Sequence, residues 1–474
     1  MPVPPWLLRS RFAASLSAMY GREVPAYTRL VDVSAAVNAD VLDRLGARAE
    51  RLGSRERVTA ERHGAIRVGT ARELEQAGRV FAAVGMHPVG FYDLRETPVS
   101  PVPVVSTAFR PVDPDELARN PFRVFTSVLT ADDPRFFDDD LRPRLATFLD
   151  RRELFGAELL GLADRAVAAG PSGLDDEQAQ RFVELATAAF ALSSEPVDSA
   201  WYAELERVSP VAADIGGVTT THVNHLTPRV LDIDDLYARM QAGGTRMIDE
   251  IQGPPRWEGP DVLLRQTSFR ALAEHRLMRT PEGEVRPGTL RVRFGEVEAR
   301  GVALTPSGRE VYDRLTAQVD QRLAADPGAR RQEVAEAVWP TGFPSTEQGL
   351  AARGLAHFRW AADPRAARAA GGRGAVPHDV AGLLEAGWLH AEPVVYEDFL
   401  PRSAAGIFAS NLDHEGSRDG HRQGSHRDLD WFAGVLERTV DEPEDLYRAQ
   451  SAPTLATALR VLAGAGVDVR TLGP

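Results

Sequence analysis

The chain has neither cysteine nor lysine: all 55 of its basic residues are arginine. No disulfide can staple such a fold, so its stability must come from a packed core, and 474 residues at 43% hydrophobic are enough to bury one. The same absences close off chemistry. Thiolate nucleophiles, iron-sulfur ligands and zinc ribbons go with cysteine, and Schiff bases and Walker A loops go with lysine. The 68 acidic residues leave a net charge of −13, which disfavours a generic electrostatic grip on nucleic acid or anionic lipid and favours a small-molecule substrate. No apolar run reaches the roughly 18 residues of a membrane span. The opening MPVPPWLLRSRF is too short and weakly apolar for a signal peptide, so a cytoplasmic location is expected.

Periodicity predicts helices over Arg9 to Tyr20 and Tyr27 to Leu52, the second from the spacing of Leu30, Val33, Val37, Val41 and Leu45. RHGAIRVGT reads as a short strand followed by a helix from Ala71 to Val84, and HPVGFYDL and PVPVVSTAFRP read as strands. Two long amphipathic helices, Pro134 to Ala169 and Asp175 to Leu192, form a helical insertion over about 134–195. GGVTTTHVNHLTPRVLD, DVLLRQTSF and TLRVRFGEVEARGVALT return to strand, a helix runs from Ser307 to Ala324, and a glycine- and arginine-rich loop spans 365–375. A polar loop at 413–428 is expected to be mobile, and a terminal pair of helices follows it.

With thiolates and lysine excluded, attention falls on histidine and carboxylates. His63 lies in the first strand-like run, and His222 and His225 lie in a later one. In LRVRFGEVEARG, continuing the apolar face of Leu290, Val292 and Phe294 by the two-residue period brings Glu296 and Glu298 to the buried side. A buried carboxylate costs several kcal/mol unless it is paired or bound to a cation, which is the physical reason to look for a metal. Two imidazoles and one carboxylate leave open positions for substrate and dioxygen, the pattern of non-haem iron(II) oxygenases. The set is His63, one of His222 and His225, and Glu296, with Glu298 as a rival; the alternative is a core histidine and a carboxylate paired with arginine. Arg67, four residues after His63, can clamp a carboxylate. His414, His421 and His426 sit in a flexible, arginine-interleaved tract and read as solvated, and GVALTPSGREVY reads as structural.

Longer phrases carry more. ERHGAIRVGT (61–70), STAFRPVD (106–113), RNPFRVFTSVL (119–129), HVNHLTPRVLDID (222–234), LLRQTSF (263–269), FGEVEARGVALTPSGREVY (294–312) and YEDFLPRSAAGIFASNL (396–412) resemble a bacterial family, the 2-oxoadipate dioxygenase/decarboxylases. The resemblance runs from about residue 15 to about 412, with the tail 413–474 outside it. It implies an iron(II) enzyme of D-lysine catabolism that converts 2-oxoadipate and O2 to 2-hydroxyglutarate and CO2. It also implies an α+β fold related to the vicinal-oxygen-chelate enzymes, a curved mixed β-sheet with large helical additions. The family's metal triad falls on His63, His225 and Glu296, its substrate arginine on Arg67, and a substrate-contacting serine on Ser403. Arg402 precedes that serine where close relatives are expected to carry Val, a departure that bears on the substrate's identity or orientation.

The expectation is therefore one metalloenzyme unit over 1–474, holding Fe(2+) and acting on a small 2-oxo diacid with O2, with no nucleic-acid or membrane partner. A metal-dependent lyase or isomerase on the same scaffold, and a non-catalytic dicarboxylate-binding protein using Arg67 and Arg402, are the competing readings.

Overall fold

The computed structural model describes residues 2–97, 101–270, 274–290, 293, 295–326, 328–370, 377, 379–400 and 422–467. The first helix, Pro5–Glu23, starts on a proline that fits the first helical turn and buries Leu8, Phe12, Leu16, Met19 and Tyr20 along one stripe. The second runs over Pro25–Leu45, where Gly46 takes φ 55° and the chain tightens into a 3-10 turn over Gly46–Leu52. The periodic stripe predicted as one helix to Leu52 is thus broken at the glycine.

A mixed sheet carries the centre of the fold. Its strands are β1 (Arg62–Val68), β2 (His87–Asp93), β3 (Val104–Arg110), β4 (Arg123–Leu129) and, after the two-residue β5 (Val197–Asp198), β6 (Val223–Pro228). Their order is β2-β3-β4-β1-β6, with β1 and β4 parallel and the other neighbours antiparallel. Three further strands follow β6, namely β7 (Leu264–Phe269), β8 (Glu274–Arg279) and β9 (Val285–Leu290). The next, β10 (Gly295–Arg300), pairs with β7 and meets the end of β6 where the Val230 amide donates to the Glu298 carbonyl at 2.8 Å. Finally β11 (Phe358–Ala362) and β12 (Leu389–Pro393) form a hairpin-like pair against the Pro443–Gly464 helix.

Strand alternation gives the sheet two distinct faces. Ile66, Val68, Val105, Phe109, Val124, Val128, Val223 and Leu226 pack into the main core with the helices Pro5–Glu23 and Ala71–Ala83. The opposite face presents His63, Ala65 and Arg67 from β1, opposite Arg123, Phe125 and Ser127 from β4. This second face is the one covered by Phe399 and by the helices Leu141–Asp150 and Pro210–Gly216. Among the described residues no helix is long and apolar enough to cross a membrane.

Two local expectations change. Residues 134–195 contain three helices where two were expected, Leu141–Asp150, Ala157–Ala169 and Asp176–Ala189. The break follows from Arg152, which turns inward to bond both oxygens of Glu73 (3.0 and 2.6 Å) and the carbonyl of Val218 (3.0 Å). The stretch read as one strand through Leu290 and Glu298 is two strands with different partners, β9 on β8 and β10 on β7. Glu296 and Glu298 are buried as expected, but because β10 is covered on both faces, with Val297 and Ala299 buried as well. Residues 413–421 of the polar loop lie outside the described residues. Its remainder is tethered: Arg95 donates to the Ser425 carbonyl (2.8 Å) and Arg427 reaches Asp132 (2.5 Å).

Candidate metal centre

β1 brings His63 and Arg67 to one face of the sheet, four residues and roughly 13 Å of strand apart. On the neighbouring strand a β-bulge decides the geometry. Ala65 pairs with His225 and Ile66 with Val223, so Asn224 is an extra residue on β6. His222 and His225 are three positions apart, and in an unbroken strand they would point to opposite faces. With the bulge, His225 comes beside His63, while His222 meets Asp214, the partner of Arg67. β10 supplies the third side, with Glu296 and Glu298 on one face by their two-residue spacing.

The result is a buried cluster in which His63, His225 and Glu296 are 1%, 5% and 3% exposed. His63 Nε2 lies 3.3 Å from Glu296 Oε1, and His225 Nε2 lies 3.7 Å from Glu296 Oε2. Among the described residues these three form a group whose ligand atoms all lie within 4.8 Å of one another. Two imidazole nitrogens and one carboxylate suit a first-row divalent metal. Each ring has a partner on its far side. His225 Nδ1 is 3.0 Å from Thr227 Oγ1, and His63 Nδ1 is 2.9 Å from Glu298 Oε2, which lies off the ring's N–H direction. Glu296 also accepts a hydrogen bond from the amide of Gln266 on β7. His63 meets the ring of Phe399 edge-on at 5.0 Å, and Phe399 packs on Phe125 at 5.1 Å.

The rivals left open by the sequence have other partners. His222 Nε2 lies 3.3 Å from Asp214 Oδ1, away from the triad. Glu298 is gripped by Arg300 through two contacts, 2.7 Å to Oε1 and 2.8 Å to Oε2, and by Arg123 at 3.3 Å. Arg67 donates to Asp214, which also accepts from Asn224 at 2.8 Å. Beside Arg67 lies Ser127, its cross-strand partner on β4, whose hydroxyl meets that of Ser106 at 2.8 Å. His426 is exposed and pairs with Asp428. Ser403, Arg402, His414 and His421 lie outside the described residues.

Burial and charge pull the two candidate imidazoles apart. Burial, the larger effect, lowers His225 to about 4 despite Glu296, which keeps the ring neutral and its lone pair available. Burial also lowers His63, but Glu298 and Glu296 together outweigh it and raise the ring above its ordinary value. Glu298 is itself held at about 2: burial raises it, and Arg300 and His63 more than compensate. Asp214 is likewise pushed below the carboxylate range because His222 and Arg67 overcome its burial.

Several residues of this neighbourhood escape a reading of the sequence. Asp214, Gln266, Phe399 and Arg123 come from four separate segments. Asp214 carried the clearest signal, a lone acid inside the apolar run VAADIG.

A family model described as 2-oxoadipate dioxygenase/decarboxylase matches residues 12–411. The 2-oxoadipate dioxygenase/decarboxylase of Mycobacterium tuberculosis is 58% identical over 442 residues, covering 93% of this chain and 96% of that protein. Its counterpart in Pseudomonas putida is 39% identical over 472 residues, 97% of this chain and 98% of that protein. Among solved structures, the hydroxyglutarate synthase of Pseudomonas putida in complex with 2-oxoadipate superposes with a TM-score of 0.80 at 36% identity, covering 98% of this chain and 99% of the other.

Proposed function

The chain belongs to the 2-oxoadipate dioxygenase/decarboxylase family, and on that premise we propose that it converts 2-oxoadipate and O2 to 2-hydroxyglutarate and CO2 at one iron(II) held by His63, His225 and Glu296. The observation that carries this reading is the convergence of those three buried side chains from β1, β6 and β10, with ligand atoms within 4.8 Å of one another. Three protein ligands leave positions on the metal for the substrate and for dioxygen. When bound, iron(II) supplies the chelation of the 2-oxo acid and the electrons for oxygen activation. One carboxyl carbon leaves as CO2; one atom of O2 ends in the new carboxylate and the other in the new hydroxyl.

The protein's part is positioning. Arg67, on the same strand and face as His63, binds the distal carboxylate and sets the chain length that fits between guanidinium and metal. Asp214 holds Arg67 in place for that contact. Phe399 and Phe125, packed by the His63 ring, keep the surroundings apolar and dry. Ser403 completes the substrate contacts, and Arg402 beside it adjusts orientation or preferred length.

Oxygen uptake by anaerobically iron(II)-loaded protein given 2-oxoadipate, with products analysed alongside, tests the reading. Uptake matched by 2-hydroxyglutarate and CO2 is expected; metal-bound protein that consumes no oxygen with this substrate would overturn it. Arg67→Ala is expected to raise KM by about 30-fold or more, since truncating one side of a buried charged contact costs about 2 kcal/mol or more. Iron content is expected to stay unchanged, and loss of metal in this variant would contradict a role on the substrate.

A further inference from the structure

We infer that Glu298 is the positioning residue of the metal centre: it holds the proton of His63 on Nδ1 and so commits Nε2 to the metal. The inference rests on the triad proposed above, and goes beyond it by giving the two carboxylates of β10 different tasks. They share a face of the strand and both approach His63, yet they approach opposite nitrogens. Glu296 faces Nε2 at 3.3 Å, whereas Glu298 faces Nδ1 at 2.9 Å. An imidazole that binds a metal through one nitrogen carries its proton on the other, and a carboxylate at that second nitrogen fixes both tautomer and ring orientation.

Glu298 is suited to this task because it is prevented from doing the other. Both of its oxygens are engaged by Arg300, and Arg123 adds a third cationic contact. The two arginines are anchored in turn. Arg123 bonds Glu61 at 2.8 Å, and Arg300 donates to the carbonyls of Tyr396 at 2.9 Å and Asp398 at 3.0 Å. Glu298, Arg123 and Arg300 have side chains 0% exposed, so bulk solvent does not reach these bonds. A carboxylate locked in this way cannot swing to the metal, which keeps the protein ligands at three and the remaining positions open. His63 Nδ1, buried and without an in-line partner, has this oxygen beside it, and a small rotation of the ring aligns the bond.

The test is long-range proton–nitrogen correlation NMR on the full-length protein labelled with nitrogen-15 histidine and loaded with zinc(II) as a diamagnetic probe. His63 is assigned by the loss of its signals in His63→Gln. The expected spectrum shows His63 bound through Nε2 with a proton retained on Nδ1. Coordination through Nδ1 would overturn this inference while leaving the triad intact. Zinc addition that leaves the His63 signals unmoved would instead overturn the triad. A second measurement, zinc affinity by chelator competition, is expected to fall about 10–100-fold in Glu298→Gln. An unchanged affinity in a variant with unaltered circular dichroism would count against the role.

Discussion

At the scale of single residues, the difference between two histidines three positions apart carries the assignment. His225 is expected to be a ligand and His222 a partner of Asp214. His225→Ala should therefore lose stoichiometric metal and His222→Ala should retain it, as read by metal analysis of the purified variants. The same residue gives a dependence on pH. His225 titrates at about 4 in the folded protein against an ordinary value of 6.5, so the unfolded chain takes up its proton first as pH falls. Its contribution to stability is complete above pH 6.5 and is lost on acidification toward pH 4. The depression is worth about 3 kcal/mol. His63 runs the other way: its raised value gives stability below its unfolded value that disappears as pH rises through the folded one. Urea unfolding of the metal-free protein is expected to show a fall in stability between pH 6.5 and 4 that is smaller in His225→Gln. An equal fall in the variant would assign it to other groups.

At the scale of elements, one inserted residue and one missing side chain build the site. The extra residue, Asn224, brings His225 beside His63 while His222 meets Asp214, which a period-two reading of HVNH does not show. The missing side chain is at Gly295, where β10 begins. A Cβ there would lie 1.8 Å from the ring of Phe269 on β7, so the close approach of the two strands requires glycine. Gly295→Ala is expected to push β10 off β7, lower stability by about 1–3 kcal/mol and weaken metal binding through Glu296. Thermal unfolding and metal titration check both effects. A variant with wild-type melting temperature would show that the strand pair can absorb the methyl group.

At the scale of the whole molecule, buried arginines replace covalent and lysine chemistry as the fixed charges. Glu61 sits among Arg57, Arg123, Arg229 and Arg300, and Asp398 is clasped by Arg110 at 2.7 and 3.0 Å. Tyr447 from the Pro443–Gly464 helix reaches both Asp398 and the Glu397 amide, tying the C-terminal helix to the surroundings of the site. Arginine's planar fork can satisfy several carboxylates at once, which a lysine ammonium does less well. Removing Glu61 takes from Arg229 the carboxylate it bonds and from Arg57, Arg123 and Arg300 one of the carboxylates each faces, leaving excess positive charge in a medium that cannot solvate it. Glu61→Gln is therefore expected to destabilise the protein by about 3–5 kcal/mol, measured by denaturant unfolding. A loss under about 1 kcal/mol would show that the remaining carboxylates take up the freed guanidinium groups.

The sequence by itself determined the class of chemistry and much of the candidate set. Excluding cysteine and lysine left histidine and carboxylate as ligands, and the patterning of RHGAIRV placed His63 in a strand because local period and residue type are properties of the chain. The resemblance of whole phrases to a family then singled out His225 and Glu296 as the expected ligands beside His63. Tertiary structure decided what local pattern cannot encode. Which of His222 and His225 meets His63 depends on a register slip between two strands about 160 residues apart in the chain. Which of Glu296 and Glu298 is left without an arginine grip depends on where Arg123 and Arg300 lie. Those are distances between segments brought together by packing, and a carboxylate's task follows from the charges packed around it.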